Sequence, residues 1–180
     1  ANAATLEGMS ITAYPVTNMG KSLTVSCIQV EDGDPNHLVI TSSNYGVNQI
    51  WESKDGGSSW QIQDGDLPDM PVRWFMFHPD GADSAYIATD LGVWYTDNLN
   101  GSSTNWVPAN NSSMPNVSVR MLQYRASDRI LMAITHGRGV FTATIPSSDT
   151  IRDLGTGVLA SGTYTPDAGQ IILNSSNTIE

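Results

Sequence analysis

A single cysteine, Cys27, and only eight Lys and Arg residues in 180 positions set the first limits on this protein. One thiol excludes an intrachain disulfide framework and a cysteine-only zinc site. Eight bases against 18 acids give a formal charge of −10. Phosphate binding needs a Lys/Arg surface, so no nucleic-acid partner is expected, and docking on an anionic membrane is disfavoured. No apolar run approaches the length needed to cross a bilayer, so no transmembrane segment is expected. Lys, Glu and Leu, which favour helices, are scarce. The chain starts at Ala1 with no basic stretch followed by an apolar one. The expectation is a processed product or an excised piece.

What is abundant points to strands. Gly, Ser, Asn, Asp, Thr and Pro supply turn chemistry, and the apolar share of 39% suffices for a core. Short apolar or β-branched runs are bounded by turn formers: 23–30, 38–42, 73–77, 85–89, 119–124, 130–135 and 140–145. The pattern predicts an all-β chain of short strands.

Three of these runs align as an internal repeat. They end at Gly46, Gly92 and Gly139, 46 and then 47 residues apart. Each repeat reads as strand, turn, strand, Gly-containing turn, strand. Trp60 and Trp106 close a further turn in two of them, again 46 apart. A period in the mid-forties is the span of a four-stranded propeller blade. Leucine-rich repeats are too short for it, and the strand composition excludes helical repeats. Gly46, Gly92 and Gly139 are expected at positive φ or at a close backbone approach.

The sharpest motif follows the first of these glycines. Ser53-Lys-Asp55-Gly-Gly57-Ser-Ser-Trp60 matches Ser/Thr-x-Asp-x-Gly-x-Ser/Thr-Trp at every defined position. Such a sequence suits a hairpin in which the Asp55 carboxylate accepts backbone N–H bonds. Gly57 would turn left-handed, and Trp60 would fold back and bury its ring between strands. A degenerate copy runs from Thr96 through Asn98 to Trp106. Here the chain resembles the Asp-box (BNR) propeller superfamily of sialidases, sortilin-like receptors and xyloglucanase-type glycoside hydrolases. The resemblance covers roughly residues 20–146. It implies a structural, non-catalytic role for Ser53, Asp55, Gly57 and Trp60, and for Thr96, Asn98 and Trp106.

Two full blades and a partial closing blade do not complete a ring. Residues 1–146 are therefore expected to be the C-terminal part of a larger propeller, with a self-contained β-sandwich as the alternative. Residues 147–156 read as a polar linker, and 157–180 as the start of a β-rich tail. The tail resembles those of secreted bacterial proteins carried by the type IX pathway. In that setting Ser84 and Thr150 match a short O-glycosylation pattern. Asn100, Asn111, Asn116 and Asn174 lie in Asn-x-Ser/Thr sequons.

Candidates for chemistry are sparse. A sialidase needs three arginines around a carboxylate, but the Arg-Ile-Pro segment usual in that family is missing. Arg73 and Arg120 hold equivalent repeat positions, which suggests a repeated rim role. Inverting glycoside hydrolysis needs two carboxylates about 6.5–9.5 Å apart. Most acids here sit beside Gly, Pro or Asn and read as solvated turn residues. Asp90 is the exception that could face a central channel. His136 and Arg138 belong to a closing turn whose arginine is expected to pair with rim carboxylates or carbonyls. His37 and His78 read as turn residues without metal-ligand spacing, and Cys27 as a core thiol. Asp32-Gly-Asp34 and Asp64-Gly-Asp66 lack the EF-hand pattern, so calcium at the rim is the one cofactor the acids would suit. No metal or catalytic residue is assigned.

The expectation is thus an extracellular or cell-surface propeller module for binding or assembly. Its partners would be further blades, glycans or surface proteins. The alternative is the C-terminal part of a secreted glycoside hydrolase.

Overall fold

A computed structural model describes residues 23–109 and 114–146. The predicted linker, the tail, residues 1–22 and Thr150 lie outside the described residues. Three antiparallel sheets follow one another along the chain. The first holds β1 (Val25–Glu31), β2 (Asp34–Ser42), β3 (Ile50–Ser53) and β4 (Gln61–Ile62). The second holds β5 (Val72–His78), β6 (Gly81–Thr89), β7 (Gly92–Thr96) and β8 (Val107–Pro108). The third holds β9 (Val119–Arg125), β10 (Ile130–Thr135) and β11 (Val140–Thr144). In every sheet, strands adjacent in sequence are neighbours in space. These are meanders with the connectivity of propeller blades, two of four strands and one of three, and they do not close a ring.

The local chemistry explains the turns. Gly33, at φ 93°, lets the chain reverse between β1 and β2. The three glycines of the repeat take φ of 68°, 109° and 76°. One irregularity recurs in all three sheets. The first strand carries an extra residue opposite the end of the second: Ser26, Arg73 and Arg120. A bulge at that point adds twist and re-aims the side chain. This gives a physical meaning to the equivalence of Arg73 and Arg120 seen in the sequence.

The sheets stack face to face. Val39 and Ile50 of the first meet Phe75, Ala85 and Ile87 of the second, with Leu99 and Trp106 alongside. The second sheet's other face presents Tyr86, Ala88, Val93 and Tyr95 to Leu122, Leu131, Ala133 and Phe141 of the third. β6 is therefore apolar on both sides, and Ala85 through Ala88 are fully buried. The first strands are neighbours, since β5 contacts both β1 and β9. At the two ends of the stack no further sheet follows among the described residues. There Ile28 is 64% exposed, Val30 48% and Val140 56%.

Candidate binding cleft

The hairpin between β3 and β4 is held by short polar contacts. Ser59 donates its backbone N–H to Asp55 Oδ1 at 2.8 Å and its hydroxyl to Asp55 Oδ2 at 2.6 Å. Ser53 donates to Asp55 Oδ1 and accepts from Gly57 N, each at 2.8 Å. These bonds favour the carboxylate, and the Ser59 contacts lead in holding Asp55 down at a pKa of about 2. Gly57 sits at φ 90°. Trp60 departs from the expectation: its ring is only half-buried, and Nε1 donates to Gly57 O at 3.1 Å. The indole caps its own turn instead of entering the core. In the longer copy between β7 and β8, Asn98 N–H donates to Thr96 Oγ1 at 3.3 Å, and a 3-10 turn spans Gly101–Ser103. The extra length lets Trp106 reach the core, where it is 3% exposed and Nε1 donates to Gln63 O of the first sheet.

At the opposite end of β6, Asp90 does not stand free in a channel. It accepts two bonds from Arg73, at 3.1 and 3.0 Å, and one from Ser118 Oγ at 2.7 Å. Arg73 leads in holding its pKa below the usual carboxylate range. Asp90 thus clasps the start of β5 to the segment entering β9. His136 is exposed, and its backbone N–H donates to Ser118 O at 2.8 Å. Arg138 is also exposed. Its guanidinium makes no ion pair among the described residues. The reading of turn acids as solvated also needs correction. Asp64 accepts the backbone N–H groups of Gln49 and Ile50, Asp66 that of Trp106, and Asp69 that of Gly46. Ser84 donates its hydroxyl to Asp97 O at 3.0 Å.

At the other end of the first strands lies a cleft of about 690 Å³. It runs between the β1–β2, β5–β6 and β9–β10 turns, so each sheet contributes one wall. Glu31 and Asp32 come from the first, Phe77, His78 and Asp80 from the second, and Tyr124 and Arg129 from the third. Arg129 is the one non-glycine residue at positive φ among those described, at 58°. Its guanidinium makes four hydrogen bonds. It pairs with both Asp80 oxygens, at 3.0 and 2.5 Å, and donates to the carbonyls of Ile145 and Pro146. His78 accepts the Asp80 N–H at Nδ1, and burial pushes its pKa down, so the ring is the neutral tautomer.

Behind the cleft wall is a buried polar chain that the sequence reading missed. His37 lies on β2, 4% exposed, and is not a turn residue. Its Nδ1 is 2.6 Å from Glu31 Oε2, and its Nε2 is 2.6 Å from Glu52 Oε1. Two carboxylate contacts on one ring require two N–H donors, so with both glutamates ionised the ring is an imidazolium. Glu52 is itself only 3% exposed and accepts Gln63 Nε2 at 2.6 Å. Gln63 then accepts Gly101 N–H from the second sheet at 2.6 Å. Phe77 closes over His37 at 4.7 Å between ring centroids. Alternation along β2 puts His37 on the face of Val39, the only sequence signal for its burial. Among the described residues, no group of three or more His, Cys, Asp or Glu is arranged to hold a metal ion. No helix among them is long and apolar enough to cross a membrane.

The arrangement can bind and orient a ligand. Glu31 and Asp80 each have a cationic or imidazole partner, and Cys27 is a buried thiol whose pKa burial raises. No protein-family model matches the chain. No curated protein matches it either. Among solved structures the chain is similar to a crystal structure of an ancestral GH74 enzyme. That match has a TM-score of 0.47 and 18% identity, and covers 66% of this chain and 17% of that one.

Proposed function

We propose that residues 1–146 are part of an Asp-box (BNR) propeller that acts outside the cell or at its surface as a binding and assembly module. In this reading residues 157–180 begin a tail like those that follow propellers in bacterial cargo of the type IX secretion pathway. The observation that carries the reading is the stack itself. Three sheets bury their shared faces, and on the outer faces Ile28, Val30 and Val140 stay exposed, although Ile40 and Trp51, paired beside Ile28 on the first sheet, are buried. Exposed apolar area at the two ends of an open stack favours further blades, on the same polypeptide or another.

The hydrolase alternative requires an acid and a base carboxylate across a cleft. Glu31 and Asp80 are held by His37 and Arg129, which favours binding over catalysis by these blades. The test is native mass by light scattering on unheated source material, with a denaturing intact mass on the same sample. A particle much heavier than 19.4 kDa supports the reading. A compact folded monomer of that mass overturns it.

A further inference from the structure

We infer that residues 14–22 of this chain lie over the outer face of the first sheet, as the outer strand and connection of a further blade. This rests on the propeller reading and names what covers that sheet.

One apolar row recurs in the three sheets. Directly paired residues share a face, so the row runs Phe75, Ile87, Trp94 in the second sheet and Leu122, Ala133, Phe141 in the third. Phe75 and Ile87 pack with Val39 and Ile50 of the sheet before, and the third sheet's row packs with Tyr86 and Ala88. The same row in the first sheet is Ile28, Ile40, Trp51. Val39 faces the second sheet, so Ile40 beside it on β2 faces away, and the row with it. Ile28 is 64% exposed, as an uncovered face requires, yet Ile40 is 5% and Trp51 3% exposed. Neither joins a core cluster with the neighbouring sheets. Ile62, next in the row, lies beside Trp51 in the same sheet and not over it. The Trp51 indole Nε1 is also buried with no hydrogen-bond partner among the described residues. The cover therefore lies over β2 and β3 and stops short of β1.

The repeat names the occupant. Tyr14 precedes Val25 by 11 residues, as Gln61 of β4 precedes Val72 by 11 and Val107 of β8 precedes Val119 by 12. Pro15 then falls at the place of Pro108, and proline suits an outermost strand. The connection that follows an outer strand is packed into the seam between sheets in both observed cases. Leu67 packs on the cluster of the first two sheets, and Ala109, Met114 and Val117 on that of the second and third. The connection before β1 offers Val16 and Met19 for the same place. It is tethered to the sheet it would cover, which raises its local concentration there. Residues 147–180 leave from the third sheet. An extended segment also brings backbone carbonyls, the acceptors that a buried Trp51 N–H needs. One segment is narrower than a four-stranded sheet, in keeping with cover that ends before Ile28.

The test is NMR of the full chain in a mixture of isotope-labelled and unlabelled copies, which separates contacts within a chain from contacts between copies. Nuclear Overhauser contacts from the Trp51 ring to Val16 or Met19 of the same chain are expected. In the full chain, Met19→Asp should raise hydroxyl-radical oxidation of Trp51 severalfold. It should leave Trp106, 3% exposed between the first two sheets, unchanged. Met9→Asp, ahead of the segment, should change neither. Absence of any contact from residues 14–22 to Trp51 or Ile40 overturns the inference, as does Trp51 oxidation unchanged by Met19→Asp. If that variant exposes Trp106 as well, the contacts in the unaltered chain decide. Contacts to Trp51 from a second copy overturn the intrachain segment but support the assembly reading. The intrachain contacts in a particle of only 19.4 kDa bear out the inference and overturn the assembly reading.

Discussion

Replacing His37 by leucine tests whether the buried polar chain stabilises the interface between the first two sheets. Leucine keeps the apolar contact with Phe77 but removes both donors. Breaking a buried ion pair by deleting one partner costs about 3–5 kcal/mol. The structure places His37→Leu at the lower end. Glu31 has a side chain 27% exposed and can turn to water. Glu52, 3% exposed, cannot, but it keeps the Gln63 amide at 2.6 Å and the Lys54 ammonium at 3.6 Å. The expected loss is about 3 kcal/mol, a large part of a typical domain's total stability. Urea unfolding followed by tryptophan fluorescence reads this as a midpoint lowered by about 1–2 M, at an ordinary m-value. Adding Glu52→Gln removes the stranded charge and should recover at least half of the loss. A single variant within about 0.5 kcal/mol of wild type would refute the reasoning. So would a double variant whose loss is the plain sum of the two singles.

Three other outcomes follow from the geometry. Gly65→Ala should destabilise by about 2–4 kcal/mol, combining a left-handed backbone with overpacking. Gly65 sits at φ +51°, and a Cβ there would collide with the Thr104 carbonyl of the second sheet. Chemical denaturation checks the figure. Phe75→Ala, at a fully buried position between the first two sheets, should cost about 3–5 kcal/mol by the same assay. For Asp55 the folded pKa of about 2 lies below the ordinary 3.8. Its stabilising contribution is therefore complete above the unfolded pKa and is lost as pH falls through about 2. Carbon-13 NMR of the carboxyl should show it titrating near 2, and in Ser59→Ala, which removes the strongest single bond, the midpoint should move up.

The repeat was legible because propeller-type sheets are local objects. Each meander pairs strands adjacent in sequence, so alternation, turn residues and a period of 46 to 47 carry the architecture. The predicted run 85–89 falls within β6, and 130–135 coincides with β10. Boundaries moved by a few residues where pairing extended into turns: 38–42 became the end of a longer strand, Asp34–Ser42. That extension is what took His37 out of its expected turn.

Contacts between sheets were not legible, because their partners are far apart in the chain. Arg129 and Asp80 are 49 residues apart, and Asp66 and Trp106 are 40 apart. Nothing near an aspartate in a Gly-rich turn says whether a backbone N–H from the next sheet will arrive to meet it. Two tryptophans at equivalent repeat positions make the same point. Trp60 closes a short turn and stays half-buried, whereas Trp106 sits on a longer loop and reaches Gln63 of the neighbouring sheet.

By itself, the amino-acid sequence determined strand alternation and the repeat period, since these depend on side-chain alternation and backbone preference within a few residues. Only the tertiary structure decided which carboxylates are matched and which line the cleft. Desolvation and ion pairing depend on what the adjacent sheet brings within about 3 Å, and that distance is set by how the sheets stack.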